Sequence, residues 1–173
     1  MSLDNFTEIR PRELNKSPFQ LIGKDWMLVT AKKDNNVNTM TASWGGLGVM
    51  WNKNVAYIVL RPQRYTKEFI DNSHTFSLCF FHEKYKKQLS YIGSVSGRDE
   101  DKLSKTDLTL GSYKNTPFFE ESEIVIICKK LYAQEFEADS FIDKELVAEN
   151  YPNNDFHTLY ISEIQKILVK KVL

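Results

Sequence analysis

Three polar clusters interrupt an otherwise apolar and aromatic-rich chain, and their residue types suit one task. The first runs Thr39-Met40-Thr41-Ala42-Ser43-Trp44-Gly45. It offers hydroxyls and, on an unpaired strand edge, backbone donors and acceptors that read the polar rim of a flat ring. The second is Arg61-Pro62-Gln63-Arg64-Tyr65-Thr66. Arg61 and Arg64 carry forked donors that match a phosphate. Tyr65 and Thr66 open a helical pattern, so their amides are spare donors at the favourable end of the helix dipole. The third is Ser94-Val95-Ser96-Gly97-Arg98-Asp99, ending at Lys102. Together they fit a phosphorylated aromatic cofactor. Taken singly each has a plainer reading: Thr and Ser are good strand formers, an arginine after a strand is commonly a solvated end, and a charged loop is commonly only a loop.

Other chemistries lack their residues. No phosphate-binding glycine loop of the Walker type, no GxSxG elbow and no GxGxxG after a strand is present. His74, His82 and His157 do not stand at metal-ligand spacing, and Cys79 and Cys128 form no CxxC, so no metal site is expected. His74 and His82 flank a strand and read as surface residues. His157 is the one histidine placed to contact a ligand or carry a proton near neutral pH; its plainer reading is a hydrogen-bonded residue at a strand end. Trp44 either covers the ligand or packs. Trp26 and Trp51 read as core, and Met40 and Met50 as gap-fillers in the core.

The elements that must position these residues are mostly strands. Asp25–Ala31 and Asn38–Trp44 read as a hairpin about Asp34-Asn35-Asn36. The glycines Gly45, Gly46 and Gly48 mark a backbone free to bend or approach a neighbour. Asn54–Leu60 and Thr75–Phe81 are further strands, with a short helix, Tyr65–Asn72, between them. Glu83–Ile92 reads as helical, Ser94–Leu108 as a loop and Asn115-Thr116-Pro117 as a turn. Glu123–Phe136 is a long strand, Phe141–Glu149 a brief helix, Asn150–Asp155 a loop, and Thr158–Val169 the final strand or pair of strands. Few crossover helices separate the strands, which predicts a mainly β fold with short helices, an antiparallel barrel rather than a doubly wound sheet.

Composition narrows the function classes. The chain of 173 residues is long enough for one domain with a sizeable core. Its 23 basic and 23 acidic side chains cancel, so bulk electrostatics give no support to nucleic-acid binding. The paired lysines Lys86-Lys87, Lys129-Lys130 and Lys170-Lys171 read as solvated faces. The longest apolar run, Ile124–Cys128, is too short to span a bilayer. The polar stretch Met1–Arg12 does not read as a signal or transit peptide. With Cys79 and Cys128 inside apolar runs, a reducing cytoplasm is the expected compartment.

The run NTMTASWGGLGVMWNKNVAYIVLRPQRYTKEFIDNSHTFSLCFF resembles the core of the flavin reductase-like, FMN-binding split-barrel family, which includes flavoredoxin. Ser96-Gly97-Arg98-Asp99-Glu100-Asp101-Lys102 resembles that family's SGRDxDK loop, and HTLYISEI its closing strand. The likeness spans Asp25 to Val169, and the three blocks in this order are fairly specific. It implies a single FMN-binding split β-barrel domain over residues 1–173. By the resemblance, Thr41, Ala42, Ser43 and Trp44 would lie along the isoalloxazine edge, and Arg61, Arg64, Tyr65 and Thr66 would hold the phosphate. Ser77, Leu78 and Cys79 would pass near the ribityl chain or ring. Ser96, Gly97, Asp99 and Lys102 would form a loop around the flavin, near the interface of a homodimer. His157 would serve the nicotinamide side, with NAD(P)H as reductant.

Two positions depart from the family pattern. Relatives carry Gly-Asp-His where this chain has Asp155-Phe156-His157, which leaves His157 without its usual acidic neighbour. Relatives often carry a cysteine where Ile92 precedes Gly93, so a redox-active thiol is absent there. The leading expectation is therefore an NAD(P)H-dependent flavin reductase. A flavoredoxin-like electron carrier, reduced by a partner protein, is the alternative. A barrel that has lost its flavin and serves as an interaction module is the third reading, and the intact polar clusters oppose it.

Overall fold

Strands whose residues are apolar at successive positions need cover on both faces, and the sheet supplies it. The computed structural model describes residues 3–171. Met1 and Ser2, at the head of the polar N-terminal stretch, and Val172 and Leu173, at the end of the expected domain, lie outside the described residues. In β2 (Met27–Lys33), Met27, Val29 and Ala31 enter one core, while Leu28 enters a second core on the opposite face. β6 (Thr75–Phe80) does the same with Phe76, Leu78 and Phe80 against Cys79, and β9 (Ile124–Glu135) with Ile124, Ile126 and Cys128 against Val125 and Ile127. The period of two in side-chain direction thus sorts one continuous apolar run into two cores. The first core fills the barrel and takes Phe69 and Ile70 from helix α1 (Tyr65–Asn72). The second lies outside the sheet, under helix α2 (Lys86–Ser94), from which it takes Leu89 and Ile92.

Eight strands form one antiparallel sheet in the order β3-β2-β6-β9-β10-β5-β4, with β1 (Phe6–Ile9) added beside β10. The remaining members are β3 (Asn36–Ala42), β4 (Gly45–Met50), β5 (Lys53–Leu60) and β10 (Thr158–Lys170). β10 is one long strand that pairs with β9 along its length and changes partner on its other side. Thr158–Glu163 face β5 and Ile167–Lys170 face β1. Register shifts at Ile161/Ser162 and Ile164/Lys166 accompany that change, as expected where a bulge bends a strand. The sheet does not close. Its two ends, β3 and β4, are consecutive in the chain, so Ser43 and Trp44 cross the split as covalent backbone rather than as a hydrogen-bonded ladder.

Four strands were not expected from the sequence. β1 is one and β4 another: its residues, GGLGVM, read as a bend, yet pairing with β5 holds them extended. The segment Asn115-Thr116-Pro117 is a turn only in part. Lys114 and Asn115 (φ 45° and 67°) make the two-residue turn, and Thr116 and Pro117 open β8 (Thr116–Phe119), which pairs with β7 (Leu110–Tyr113). The final element is a single bent strand, and α3 (Glu145–Asn150) is shorter than the expected Phe141–Glu149. Trp51 does not belong to the core: with Asn52 it forms the turn between β4 and β5, with left-handed φ at both, and it is half exposed. Met50 beside it is also exposed, whereas Met40 is buried. Lys130 donates to the carbonyls of Ile70 (2.5 Å) and Asp71 (3.1 Å), so it holds the end of α1 instead of forming a solvated pair. His74 and His82 are exposed, and Cys79 and Cys128 are buried free thiols.

Gly45 starts β4 at φ 154°, where a Cβ would stand 2.4 Å from the carbonyl oxygen of Tyr57. The entry of the chain into β4 therefore requires glycine. Gly45→Ala is expected to lower stability by about 1–3 kcal/mol, the range for a strained backbone position, and urea denaturation of the purified variant checks it.

Candidate functional site

Two clusters flank the split, one on each side of the second polar stretch. On one side, the turn before α1 brings Gln63, Arg64, Tyr65 and Thr66 against the loop that follows α2. They line a cavity of about 170 Å³ with Met40, Gly93, Ser96, Gly97 and Lys102. A second cavity of about 560 Å³ shares Tyr65, Gly97 and Lys102 and adds Asn38 and Asp99. Lys102 is 4% exposed. Its ammonium donates to the carbonyls of Ile92 and Val95, each at 3.2 Å, and to no carboxylate. Arg64 donates to the Gly93 carbonyl at 3.2 Å and likewise joins no ion pair among the described residues. Burial, followed by repulsion from Arg64, pushes the Lys102 pKa down to about 8. Burial also lowers Arg64, whose guanidinium stays charged. Glu100 partly offsets the lowering of the Lys102 pKa, but neither cation forms an ion pair among the described residues, and half- or fully buried cations left so are a costly arrangement unless a ligand completes it.

Backbone fit and side-chain bonds shape this cavity. Asn38, buried in β3, donates to the Thr66 hydroxyl at 2.9 Å and fixes the first turn of α1. Gly97 rests against Asn38, where a Cβ would meet the amide oxygen at 2.3 Å. Arg98 stacks over Tyr65, 4.5 Å from its ring centroid, and pairs with Glu68. The Ser96 carbonyl accepts from the Asp99 amide at 3.1 Å and closes the turn of the loop. Thr41 donates to the Leu89 carbonyl at 2.5 Å and so ties β3 to α2. Since β3 ends the sheet, its outer edge carries no neighbouring strand, and Thr41, Ala42 and Ser43 are all partly exposed there.

Across the split lies the second cluster. Trp44, 49% exposed, stands over His157 with ring centroids 5.1 Å apart. His157 Nδ1 is 2.8 Å from the Tyr151 hydroxyl. Arg61 is not among the residues lining the cavity of Arg64 and Lys102. It forms an ion pair with Asp155, donates to the Asn150 carbonyl at 2.7 Å, and lies 5.3 Å over the Tyr151 ring. Gln63 donates to the same Asp155 oxygen at 2.9 Å. The hydrogen bonds from Gln63 and Arg61 hold the Asp155 carboxyl below its usual range. The acid one place removed from its expected position is thus engaged by Arg61, and Tyr151 takes the place beside His157. Burial, with the Arg61 charge adding to it, lowers the His157 pKa to about 4, so the imidazole is neutral at physiological pH.

The expected site residues are therefore divided. Arg64, Tyr65, Thr66, Ser96, Gly97 and Lys102 meet at one cavity, with Asp99 in the adjoining one. Thr41 to Trp44 lie at the split, and Arg61 belongs with His157. Ser77, Leu78 and Cys79 are wholly buried between β2 and β9, with the Ser77 hydroxyl donating to the Pro117 carbonyl at 2.6 Å. Their side chains serve the core rather than a ligand-accessible surface, and burial raises the Cys79 pKa. Sequence reasoning missed Tyr151 and Asn38, and read Asp155 only as an acid shifted from its usual place before His157. Tyr151 lay in a loop reading, NYPNND, and only its aromatic character in a polar segment marked it. Among the described residues no cluster of three or more His, Cys, Asp or Glu could hold a metal ion, and no helix is long and apolar enough to cross a membrane.

A lowered histidine pKa has a definite sign. Between about pH 6.5 and 4 the unfolded chain binds a proton at this position that the folded chain does not. The contribution of neutral His157 is complete above pH 6.5 and fades as pH falls toward 4. We expect the His157 ring resonances to titrate with a midpoint near 4. In urea unfolding, His157→Gln should lose less stability than the parent chain between pH 7 and 4.5.

The fold is shared with solved structures. An FMN-binding domain of a flavin reductases-like enzyme from Shewanella baltica OS155 superposes with a TM-score of 0.70 at 19% identity, over 96% of this chain and 78% of that one. Flavoredoxin of Desulfovibrio vulgaris (Miyazaki F) gives 0.66 at 21%, over 94% and 78%. The styrene monooxygenase flavin reductase from Pseudomonas putida S12 gives 0.60 at 14%, over 83% and 77%. No curated protein matches the sequence. The sequence profile described as the flavin reductase like domain matches residues 20–172, nearly the whole chain. With its open antiparallel barrel and short helices, the chain belongs to the flavin reductase-like domain family.

Proposed function

We propose that the protein binds FMN non-covalently at the split of the barrel and acts as an NAD(P)H-dependent flavin reductase. The single observation that carries the cofactor assignment is the pair of cations, half-buried Arg64 and buried Lys102, that face one cavity and join no ion pair among the described residues. A phosphate monoester neutralises both and accepts their free N–H groups. Asn38 and Gly97 hold Thr66 and the Ser96–Lys102 loop around that anion. Thr41, Ala42 and Ser43, on the open edge of β3, offer backbone and hydroxyl groups to the ring, and Trp44 bounds it on the side of His157. FMN, when bound, supplies the two-electron chemistry, accepting a hydride from the nicotinamide, so the chain needs no nucleophile of its own. The role of this chain is to bind, orient and exclude water.

The electron-carrier reading keeps a specific footing. Arg61 and Gln63 both bond Asp155 Oδ2, no carboxylate is bonded to His157 among the described residues, and burial keeps His157 neutral. A carrier of this kind would hold FMN and take electrons from a protein partner. Anaerobic mixing of the FMN-loaded protein with NADH or NADPH separates the two: rapid bleaching of the flavin is expected, and a flavin that stays oxidised supports the carrier. The exposed aromatic residues Trp51, Tyr57 and Tyr132 on β4–β5 and β9 support a homodimer, and two buried free thiols fit a reducing cytoplasm.

The phosphate assignment rests on Arg64 and Lys102 and excludes Arg61. Arg64→Ala and Lys102→Met are each expected to weaken FMN binding about 10- to 100-fold, the range for one hydrogen bond to a charged group. Both should leave riboflavin binding nearly unchanged. Arg61→Ala should keep the preference for FMN over riboflavin, and equal loss of that preference in all three variants would overturn the assignment. The Lys102 pKa near 8 adds a pH signature. An anion favours the charged amine, so FMN affinity should fall by up to about tenfold per pH unit above pH 8. Fluorescence titration across pH 7 to 10 checks this, with a flatter profile expected for Lys102→Met.

A further inference from the structure

We propose that Tyr151 is a positioning residue that locks neutral His157 in its Nε2–H tautomer, so that His157 presents a hydrogen-bond donor, not a base, beside Trp44. The inference deepens the reading above and rests on it only for the identity of the acceptor, a carbonyl oxygen borne by the nicotinamide or the flavin.

The geometry assigns the proton. Tyr151 is 4% exposed, and its hydroxyl has one hydrogen-bond partner, His157 Nδ1 at 2.8 Å. A phenol carries one proton, and among the described residues its one hydrogen-bond partner is that nitrogen. Were Nδ1 to donate instead, the phenol proton would be left unpaired in a buried place, the more costly arrangement. The Tyr151 hydroxyl therefore donates and Nδ1 accepts. A neutral imidazole has a single N–H, which then sits on Nε2. Doubly protonated His157 would need both nitrogens to donate and would place a second cation near Arg61, which already lies over the Tyr151 ring. Asp155 is the opposing charge nearby; Arg61 and Gln63 both donate to its Oδ2, its Oδ1 is buried without a hydrogen-bond partner, and neither oxygen bonds His157 among the described residues.

Nε2 is free to act. It makes no hydrogen bond within the described residues, and it is not among the buried polar atoms left without a partner, so it keeps access to solvent. The ring itself cannot turn easily. Tyr151 packs edge-on against it at 5.5 Å between centroids, Trp44 covers it at 5.1 Å, and the Phe136 amide donates to the His157 carbonyl at 2.8 Å. Tyr151 is placed in turn by Arg61, which grips the Asn150 carbonyl on the preceding residue and the Asp155 carboxylate beyond. Arg61 thus acts on His157 through Tyr151 as well as through its charge.

The decisive experiment is a long-range proton–nitrogen correlation spectrum of the cofactor-free protein labelled with ¹⁵N-histidine at neutral pH, with His157 assigned by its loss in His157→Gln. The expected parent spectrum has a bare Nδ1, displaced by an accepted hydrogen bond, and a protonated Nε2. In Tyr151→Phe, which removes one oxygen and keeps the packing, Nδ1 should move toward the position of an unbonded nitrogen and an Nδ1–H population should appear. A protonated Nδ1 in the parent protein, or no change at either nitrogen in Tyr151→Phe, would overturn the proposal. In the loaded protein, Tyr151→Phe should raise KM for NAD(P)H severalfold with a smaller change in kcat. A tautomer change with KM unchanged would overturn the donor role. FMN affinity, measured separately by fluorescence quenching, shows whether the cofactor reading itself holds.

Discussion

The open edge of the barrel is the constraint on which the rest depends. A sheet that ends at β3 on one side and β4 on the other leaves a row of backbone groups without strand partners. Because β3 and β4 are joined by only Ser43 and Trp44, that connection must span the split, and it does so by entering β4 through Gly45. The same opening gives a flat ligand an edge to read. It also puts α2 and the loop after it within reach of β3, through Thr41 and Leu89. Closing the ladder would satisfy the backbone and remove the site.

Two arginines three residues apart meet opposite fates on the two sides of this opening, and β-sheet register decides which is which. Leu60 pairs with Thr158, so Arg61 emerges from β5 beside the segment that leads into β10. There it finds Asp155 and the Asn150 carbonyl. Arg64 lies one turn further on, where the chain bends into α1, and it points toward Gly93 and Lys102. Arg61 is spent on structure within the protein, whereas Arg64 and Lys102 bond only backbone carbonyls and join no ion pair among the described residues. A paired buried charge is chiefly a matter of architecture; an unpaired one asks for a ligand.

Much of this was legible in the linear chain. The apolar run Met27–Ala31 and the continuous run Ile124–Cys128 carry their strand assignments in their own residues, and Tyr65–Asn72 carries its helix in the spacing of Tyr65, Phe69 and Ile70. The glycine-rich segment Gly45–Met50 was not legible as a strand, because glycine has no intrinsic preference for one and its extended form comes from pairing with β5. Thr116 and Pro117 were read as a turn for a similar reason. Pro117 lacks an N–H and disfavours a strand interior, but a two-stranded hairpin leaves it room at an edge. Trp51 was read as core by its size, while its left-handed backbone places it at an exposed turn.

The sequence by itself determined the family, the mainly β fold and the three polar clusters, because each rests on local composition or on short ordered motifs. Only the tertiary structure decided which of those polar residues meet. Lys102 and Arg64 are 38 positions apart in the chain and share a cavity, while Arg61, Tyr151, Asp155 and His157 assemble from two separate segments. Ser77, Leu78 and Cys79 looked equally available in the chain and prove to be sealed between neighbouring strands. Burial and long-range register set those outcomes, since both depend on what lies across the sheet and neither is written in the spacing of neighbouring residues.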